Sequence, residues 1–275
     1  MRACLTVALV ALICLTGAKD KGPSVESLVG QLGACESLSS CAAIQELKKR
    51  GPAIWPDIEV GLKHPDEMTR YWTLGVLTMV VIPQAQQAIA SRLTDKAVRI
   101  RAAAAFALGV QKDKKVTKWL IRALGDEDVN VRYSAAIALG RAQDPAGVPA
   151  LAKALRDKDI DVRKHSAVAL GEIGDKRGTA PLIERLEQDM VPEVRGYVAM
   201  ALGNLGDPKA KPVLLKHLKI EDDTKALAAT IYAIGEFRDR ATLPVLRPLA
   251  KHPNQDVRTF AQQTISLLEK LPAKP

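Results

Sequence analysis

Aromatic residues and histidines are both scarce in this 275-residue sequence. Phenylalanine, tryptophan and tyrosine together make up 4% of it, and the four histidines stand far apart, at His64, His165, His217 and His252. No histidine has another three or four residues away, and none is followed by glutamate. The paired histidines with which a helix binds a metal are therefore absent, and we predict no metal site.

The sequence motifs of several enzyme classes are missing as well. There is no Gly-x-Ser-x-Gly motif, which would present a nucleophilic serine, and no glycine-rich loop for phosphates. The acidic cluster Glu221, Asp222 and Asp223 falls in a predicted turn, where carboxylates more often cap a helix than transfer a proton. We therefore predict a protein without catalytic residues or cofactors.

A glycine followed four residues later by an aspartate recurs through most of the chain. The glycines are 31 or 32 residues apart, in the pairs Gly109/Asp113, Gly140/Asp144, Gly171/Asp175, Gly203/Asp207 and Gly235/Asp239. A period near 30 residues is typical of stacked two-helix units. We expect the glycine to take a left-handed conformation at the end of one helix and the aspartate to cap the start of the next.

Each unit contains two kinds of predicted helix. The first, here called the arginine helix, begins near an arginine and is rich in alanine, as in residues 132–140 and 163–171. The second, the leucine helix, carries leucines four apart, as at Leu151 and Leu155. Alanine favours helices and lets them approach closely, while the leucine spacing gives one apolar stripe.

An aspartate stands six residues before the arginine in four consecutive units. The pairs are Asp95/Arg101, Asp126/Arg132, Asp157/Arg163 and Asp189/Arg195. The aspartate can cap the arginine helix, and the arginine can reach aspartates in its own and the adjacent repeat. We predict a buried ladder of charges that fixes the register of the stack.

Leucine helix, Asp-x5-Arg turn and arginine helix together resemble HEAT repeats, of the short kind found in phycobilin lyases. The resemblance implies an all-α fold, an α-solenoid or HEAT-repeat superhelix of about seven two-helix repeats over residues 53–275, preceded by cap helices in residues 19–52. It also implies an alternative function, since phycobilin lyases attach a tetrapyrrole to a partner protein. Only the structural consensus matches, so no lyase residue can be assigned here.

Residues 1–18 have the features of a secretory signal peptide. Arg2 precedes an uncharged apolar run that ends at Leu15, and small residues allow cleavage after Ala18. A retained anchor is the alternative, but the run is shorter than the ~20 residues that span a bilayer. Lipidation at Cys14 or Cys35 is a further alternative. We expect a periplasmic or secreted protein with no membrane span after cleavage.

Cleavage would leave two cysteines, Cys35 and Cys41. Two cysteines in an oxidising compartment pair readily, and the residues between them read as a turn that permits the bond. A metal site is the weaker interpretation, because two thiolates without nearby histidines fall short of four ligands. We predict a disulfide that pins the N-terminal cap.

The formal net charge is +9, and basic residues recur near the start of the leucine helices. Stacking would align them along one edge, here called the basic edge, at Lys114, Lys115, Arg177 and Lys209. This edge could face an anionic partner, or it could simply be solvated among interspersed acids. Because we expect export, we predict no nucleic acid partner.

Apolar residues also recur five positions after the arginine, where HEAT repeats usually place polar ones. With the aromatic residues one or two positions after it, they form what we call the inner stripe: Tyr71, Phe106, Tyr133, Ile137, Val168, Tyr197, Met200 and Tyr232. Trp72 and His165 lie at neighbouring positions. The stripe could bind a peptide or helix on the concave face, or pack between adjacent arginine helices.

These patterns predict a non-enzymatic exported scaffold or adaptor that binds a protein or peptide through its concave face or basic edge. The alternatives are a lyase-like or enzyme-associated factor and a purely structural protein of the cell envelope. Neither the partner's identity nor the oligomeric state follows from the sequence.

Overall fold

A computed structural model describes residues 23–272, so the predicted signal peptide, residues 1–18, lies outside the described part. These residues form sixteen α-helices, joined in places by short 3-10 turns, and contain no strand. The helices before the first arginine helix are α1 (Val25–Gln31), α2 (Ala42–Arg50) and α3 (Trp55–Leu62). The prediction of an all-α solenoid is confirmed.

The arginine helices form one layer of the stack and the leucine helices form the other. The arginine helices are α4 (Glu67–Met79), α6 (Val98–Val110), α8 (Val129–Ala142), α10 (Ile160–Ile173), α12 (Pro192–Leu205), α14 (Thr224–Glu236) and α16 (Gln255–Glu269). The leucine helices are α5 (Gln86–Ser91), α7 (Thr117–Ala123), α9 (Val148–Ala154), α11 (Thr179–Gln188), α13 (Ala210–His217) and α15 (Leu243–Leu246). Each arginine helix packs against its own leucine helix and against the arginine helices beside it.

The core lies between the two layers. Leucines from both are fully buried there, among them Leu120, Leu151 and Leu182 from leucine helices and Leu108 and Leu170 from arginine helices. Burying one such side chain stabilises the fold by about 1.5–3 kcal/mol. The remaining contact surface of the arginine helices is mostly alanine, which brings neighbouring backbones together.

The repeat glycines do not end the arginine helices in a left-handed conformation, so that expectation was wrong. Left-handed residues come three positions later instead, as at Gln143 (φ 49°), Gly174 (φ 73°) and Gly206 (φ 58°). The repeat glycines lie inside the helices, at the points of closest approach. A Cβ atom added to Gly203 would lie 2.7 Å from Cα of Ala233 in the next arginine helix.

This contact explains the spacing of the glycines better than a cap does. Only a residue without a side chain lets two arginine helices meet backbone to backbone once in every repeat. The arginine helices contact one another much more extensively than the leucine helices do, and we call the exposed surface of this closely packed layer the inner face. The aspartates that follow do cap the next element: Asp144 accepts a hydrogen bond from the backbone N–H of Ala146, and Asp175 from that of Arg177.

The N-terminal cap is built from α1, α2 and the turn between them. Leu28, Ile44 and Leu47 bury their side chains in the same core as the first repeat. Cys35 and Cys41 form a disulfide, with their Cα atoms 5.4 Å apart. The bonded loop therefore closes over the N-terminal end of the solenoid.

We expect Gly203→Ala to destabilise the stack by about 1–3 kcal/mol, because the added methyl group would press against the backbone of α14. Gly30→Ala is the matched control, since Gly30 lies in helix α1 with nothing within 4 Å of an added Cβ. Alanine is the better helix former, so this control should gain roughly 0.5–1 kcal/mol. Urea unfolding followed by circular dichroism measures both. Equal effects would contradict the close-contact role of the repeat glycine.

Candidate functional site

The charge ladder runs between repeats rather than within them. Nε of Arg132 donates to Asp157 of the next repeat at 2.8 Å, and Nε of Arg163 donates to Asp189 at 2.8 Å. Within its own turn, Arg132 donates instead to the backbone carbonyl of Asp126. Each arginine thus joins its own turn to the carboxylate of the following repeat, and the turn aspartates do not pair with the arginines of their own repeats.

The ladder aspartates do not cap the arginine helices themselves, as the sequence had suggested. Asp126 accepts from the backbone N–H of Asp128, and Asp128 in turn caps α8. In the next repeat, Asp157 likewise accepts from the backbone N–H of Asp159, and Asp159 caps α10. The aspartate six residues before the arginine therefore supports the capping residue, and the cap itself lies two positions later.

The ladder is longer than the four repeats with the Asp-x5-Arg pattern. Arg70 donates to Asp95 at 3.0 Å, Arg101 donates to Asp126 at 2.8 Å, and Arg195 donates to Glu221 at 2.6 Å. Glu221 differs from its predicted capping role, because it binds Arg195 while Asp223 caps α14. Its position 26 residues after Arg195, the separation also found between Arg163 and Asp189, could have identified it in the sequence.

Burial and hydrogen bonding act in opposite directions on the acids of the ladder. Burial raises the pKa of Asp157, but the hydrogen bonds from Arg132 and from the backbone of Asp159 lower it more, so the pKa ends below its usual value. The same balance leaves the pKa values of Asp126, Asp189 and Glu221 lowered. These carboxylates are ionised at neutral pH and hold the repeats together as charged pairs.

The residues of the inner stripe are partly exposed along the arginine helices. Phe106 and Met200 are each 38% exposed and Tyr232 is 36% exposed. Ile137 and Val168, at the same position in the intervening repeats, are half-buried. The structure thus places five large apolar side chains in register across five neighbouring helices.

Part of this stripe also joins one arginine helix to the next. Arg99 lies over the ring of Tyr71, and Arg141 lies over the ring of Phe106, 4.6 Å from its centre. Cation–π contacts of this kind contribute about 0.5–1 kcal/mol at exposed sites. The two interpretations of the stripe are therefore not exclusive, because the rings pack against neighbouring helices and still present surface to solvent.

Two further contacts continue the pattern towards the C-terminus. Tyr133 meets His165 of α10 edge to face at 4.4 Å, and Lys164 lies over Tyr197 of α12. Lys164 also pairs with Glu193, at 2.7 Å. Tyr71, Tyr133 and Tyr197 are all half-buried as a result.

Some exposed apolar residues were missed by the sequence reasoning. Phe260 and Leu267 are exposed on α16, where Arg258 is followed five positions later by a polar residue. Met190 and Ile220 are exposed in the turns before α12 and α14. Nothing in the repeat pattern distinguishes the two turn residues, since turn positions vary from repeat to repeat.

The basic edge is partly neutralised. Arg177 is held by Asp175 at 2.8 Å and donates to the backbone carbonyl of Pro145. Lys114, Lys115 and Lys209 are exposed, and none of them has a carboxylate within ion-pair distance in residues 23–272. Of the four residues of the basic edge, the neighbouring Lys114 and Lys115 and the distant Lys209 remain available to an anion, so the edge is not a continuous ridge of charge.

A concavity lies at the N-terminal end of the inner face. It has a volume of about 600 Å³ and is bounded by α4, α6, α8 and the disulfide loop. Tyr71, Trp72 and Phe106 form much of its aromatic wall, and Leu38 enters from the loop. Pockets that bind small molecules or anchoring side chains have volumes in this range.

Neither a metal-binding cluster nor a membrane-spanning helix occurs in residues 23–272. No group of three or more histidine, cysteine, aspartate or glutamate residues in this part is arranged to hold a metal ion. The buried His217 has its Nε2 atom 3.1 Å from Glu221, but the two are not aligned for a hydrogen bond. None of the helices in the described part combines the length and apolar character needed to cross a membrane.

The family model for HEAT repeats matches three overlapping stretches of the chain, residues 86–171, 117–195 and 148–234. Together they span residues 86–234, more than half of the sequence, and the chain belongs to the HEAT-repeat family. Among curated proteins, no match was found.

Solved structures with the same fold are distant in sequence. The Escherichia coli protein YibA is 21% identical, with a TM-score of 0.64 over 90% of this chain and 93% of that one. The complex of CpcE and CpcF of phycocyanin lyase from Nostoc sp. PCC7120 is 23% identical, with a TM-score of 0.51 over 78% of this chain and 94% of that one. An engineered protein is 22% identical, with a TM-score of 0.52 over 90% and 78%. These likenesses show the fold alone.

We expect Arg163→Ala to lower the free energy of unfolding by about 3–5 kcal/mol, because it leaves the buried carboxylate of Asp189 without its main partner. Arg156→Ala is the matched control: Arg156 binds Glu184 across the same pair of repeats, but at the surface. Surface pairs contribute about 0–1 kcal/mol. Chemical denaturation of the two variants measures the difference, and an unchanged midpoint for Arg163→Ala would contradict the ladder.

The lowered pKa values of the ladder acids also predict the acid sensitivity of the fold. Their stabilising effect is complete above the pKa of the unfolded chain, about 4, and is lost as the pH falls through the lower folded-state values. Burial lowers the pKa of His217 too, so the unfolded chain takes up that proton first and some stability is lost below about pH 6.5. Melting temperatures between about pH 8 and pH 2 test both effects. His217→Gln should remove the loss of stability that begins near pH 6.5 and leave the loss below about pH 4 unchanged.

Proposed function

We propose that this protein is a non-enzymatic exported scaffold and that its inner face binds an extended segment of a protein partner. The observation that carries the proposal is the row of exposed apolar side chains at one repeat position, Phe106, Met200 and Tyr232. Solvated surfaces seldom keep large apolar residues in register over several repeats, whereas binding grooves do.

The geometry of the stack supports an extended partner. The ladder and the backbone contacts hold the arginine helices in fixed register, so the side chains of the inner face are arranged before a partner arrives. A preformed surface loses little freedom on binding, which favours affinity. A long row of weak contacts suits a peptide or helix better than a small molecule.

Export belongs to the same proposal and rests on the sequence of residues 1–18 together with the disulfide. A disulfide such as that between Cys35 and Cys41 forms and persists in an oxidising compartment. Mass spectrometry of the protein from its native cells should find a mature chain that begins at Lys19 and has no free thiol. An intact N-terminus would contradict cleavage of the signal peptide, and two free thiols after denaturation would contradict the disulfide expected of an exported protein.

A lyase-like or enzyme-associated role is the second candidate. The likeness to the phycocyanin lyase complex motivates it, although that likeness concerns the fold. A tetrapyrrole or another chromophore that stays bound through purification would favour this role over the scaffold.

We expect Met200→Glu to reduce partner binding sharply while changing the stability by no more than about 0.5 kcal/mol, because this side chain is already partly in solvent. Met190→Glu is the control: it is the same substitution in the turn before the same helix, at a residue that is 88% exposed. Each variant, carrying an affinity tag, is expressed in the native cells, and the co-purified proteins are quantified together with the melting temperature.

The outcome separates three possibilities. Loss of a partner with Met200→Glu alone supports the inner face. Loss of the partner with Met190→Glu alone would assign binding to the turns that precede the arginine helices. An unfolded Met200→Glu variant would show that the stripe is packing, and the exposed lysines Lys114, Lys115 and Lys209 would then be the remaining surface.

A further inference from the structure

The concavity at the N-terminal end of the inner face is not formed by the repeats alone. Its outer wall is Leu38, which belongs to the loop closed by the disulfide. The other walls come from α4 and α6, mainly Tyr71, Trp72 and Phe106. We call this space the anchor pocket.

Several interactions hold Leu38 in place. The disulfide closes the loop, and Nε2 of Gln45 donates to the backbone carbonyl of Leu38 at 2.7 Å. The hydroxyl of Ser37 accepts from the backbone N–H of Ser40. On the opposite side, Gly75 leaves room for the leucine, since an added Cβ would lie 2.7 Å from a Leu38 methyl group. The loop is therefore fitted to α4, at the position where other repeats carry Phe106 or Met200.

The lining of the pocket indicates the kind of group that it accepts. The walls are mostly aromatic and aliphatic, which suits a large apolar side chain. Trp72 is only 8% exposed, and its indole N–H has no acceptor in the described residues. That N–H is itself closed off from solvent, so Trp72 contributes the apolar part of its ring to the pocket wall rather than a hydrogen bond.

The charge at the rim is positive and unpaired. Arg99 lines the pocket, lies over Tyr71 and is exposed. It donates to the sulfur of Met68, and no carboxylate in residues 23–272 lies within ion-pair distance of it. The ladder arginines Arg70 and Arg101, on the same two helices, are both bound to aspartates. Arg99 is thus free to bind a carboxylate of a partner.

We infer that the anchor pocket takes a large apolar side chain from a protein segment that carries an acidic residue close to it, with Arg99 binding the acid and the disulfide loop closing over the anchor. The inference rests on the proposed function and adds the chemistry of the partner. A segment of a polymer fits better than a free amphiphile, because Phe106 belongs both to the pocket and to the inner stripe, so the two surfaces are continuous.

The test uses a random peptide library displayed on phage, selected in parallel against the mature protein and against Arg99→Glu. Synthetic versions of the selected peptides are then measured by fluorescence polarisation. The expected peptides combine an aromatic or large aliphatic residue with a nearby aspartate or glutamate. Their affinity should fall by roughly tenfold or more with Arg99→Glu. Arg122 is an exposed arginine on a leucine helix and serves as the control. The Arg122→Glu variant should bind the peptides as the unaltered protein does.

Two further variants test the role of the loop. Gly75→Ala pushes the Leu38 side chain out of the wall, and replacing Cys35 and Cys41 with serine releases the loop. Both should weaken the same peptides, and circular dichroism confirms that each variant is folded. If the cysteine variant unfolds, Gly75→Ala decides the question.

Several results would overturn the inference. Selected peptides without an acidic residue would do so, as would equal binding by Arg99→Glu or by Gly75→Ala. Failure of the selection while decanoate binds the pocket and is lost with Arg99→Glu would assign the site to a free amphiphile instead. Peptides that lose affinity with Met200→Glu but not with Arg99→Glu would leave the proposed function standing and remove the anchor pocket from it.

Discussion

The bond from each repeat's arginine to the next repeat's carboxylate is the interaction on which the rest of this structure depends. Arg132 binds Asp157 and also the carbonyl groups of its own turn, so a single side chain ties two turns together. Because the pairs are buried, removing one partner is costly, while the intact pair mainly determines which register is allowed. The backbone contacts at the repeat glycines act in the same direction, since they are possible in that register alone.

A stack held in this way presents its inner face as a fixed surface. The rings and cations of neighbouring helices contact one another, as with Phe106 and Arg141, yet enough apolar surface remains for a partner. The N-terminal cap does more than end the stack, because its disulfide loop supplies a wall of the anchor pocket. Stripe and pocket form one continuous surface, which is why we propose that this face binds a partner.

The sequence predicted the fold well and the details of the site less well. A fixed period of glycine, aspartate and arginine defines repeats regardless of side-chain contacts, so the solenoid could be inferred directly. The role of the glycines could not, because a cap and a close contact place glycine at the same end of the helix. The choice of the next repeat's aspartate as the partner of Arg132 depends on the superhelical offset between repeats. The anchor pocket depends on Leu38 folding back over Gly75, which no repeat pattern contains.

Binding by the inner face is the central claim, and site-specific photo-crosslinking in the native cells tests it most directly. A photoreactive amino acid is placed singly at Phe106 or Met200 on the inner face and at Met190 or Ile220 in the turns. We predict that the inner positions form cross-links to one shared protein and that the turn positions do not. Cross-links to that protein from the turns alone would contradict the account.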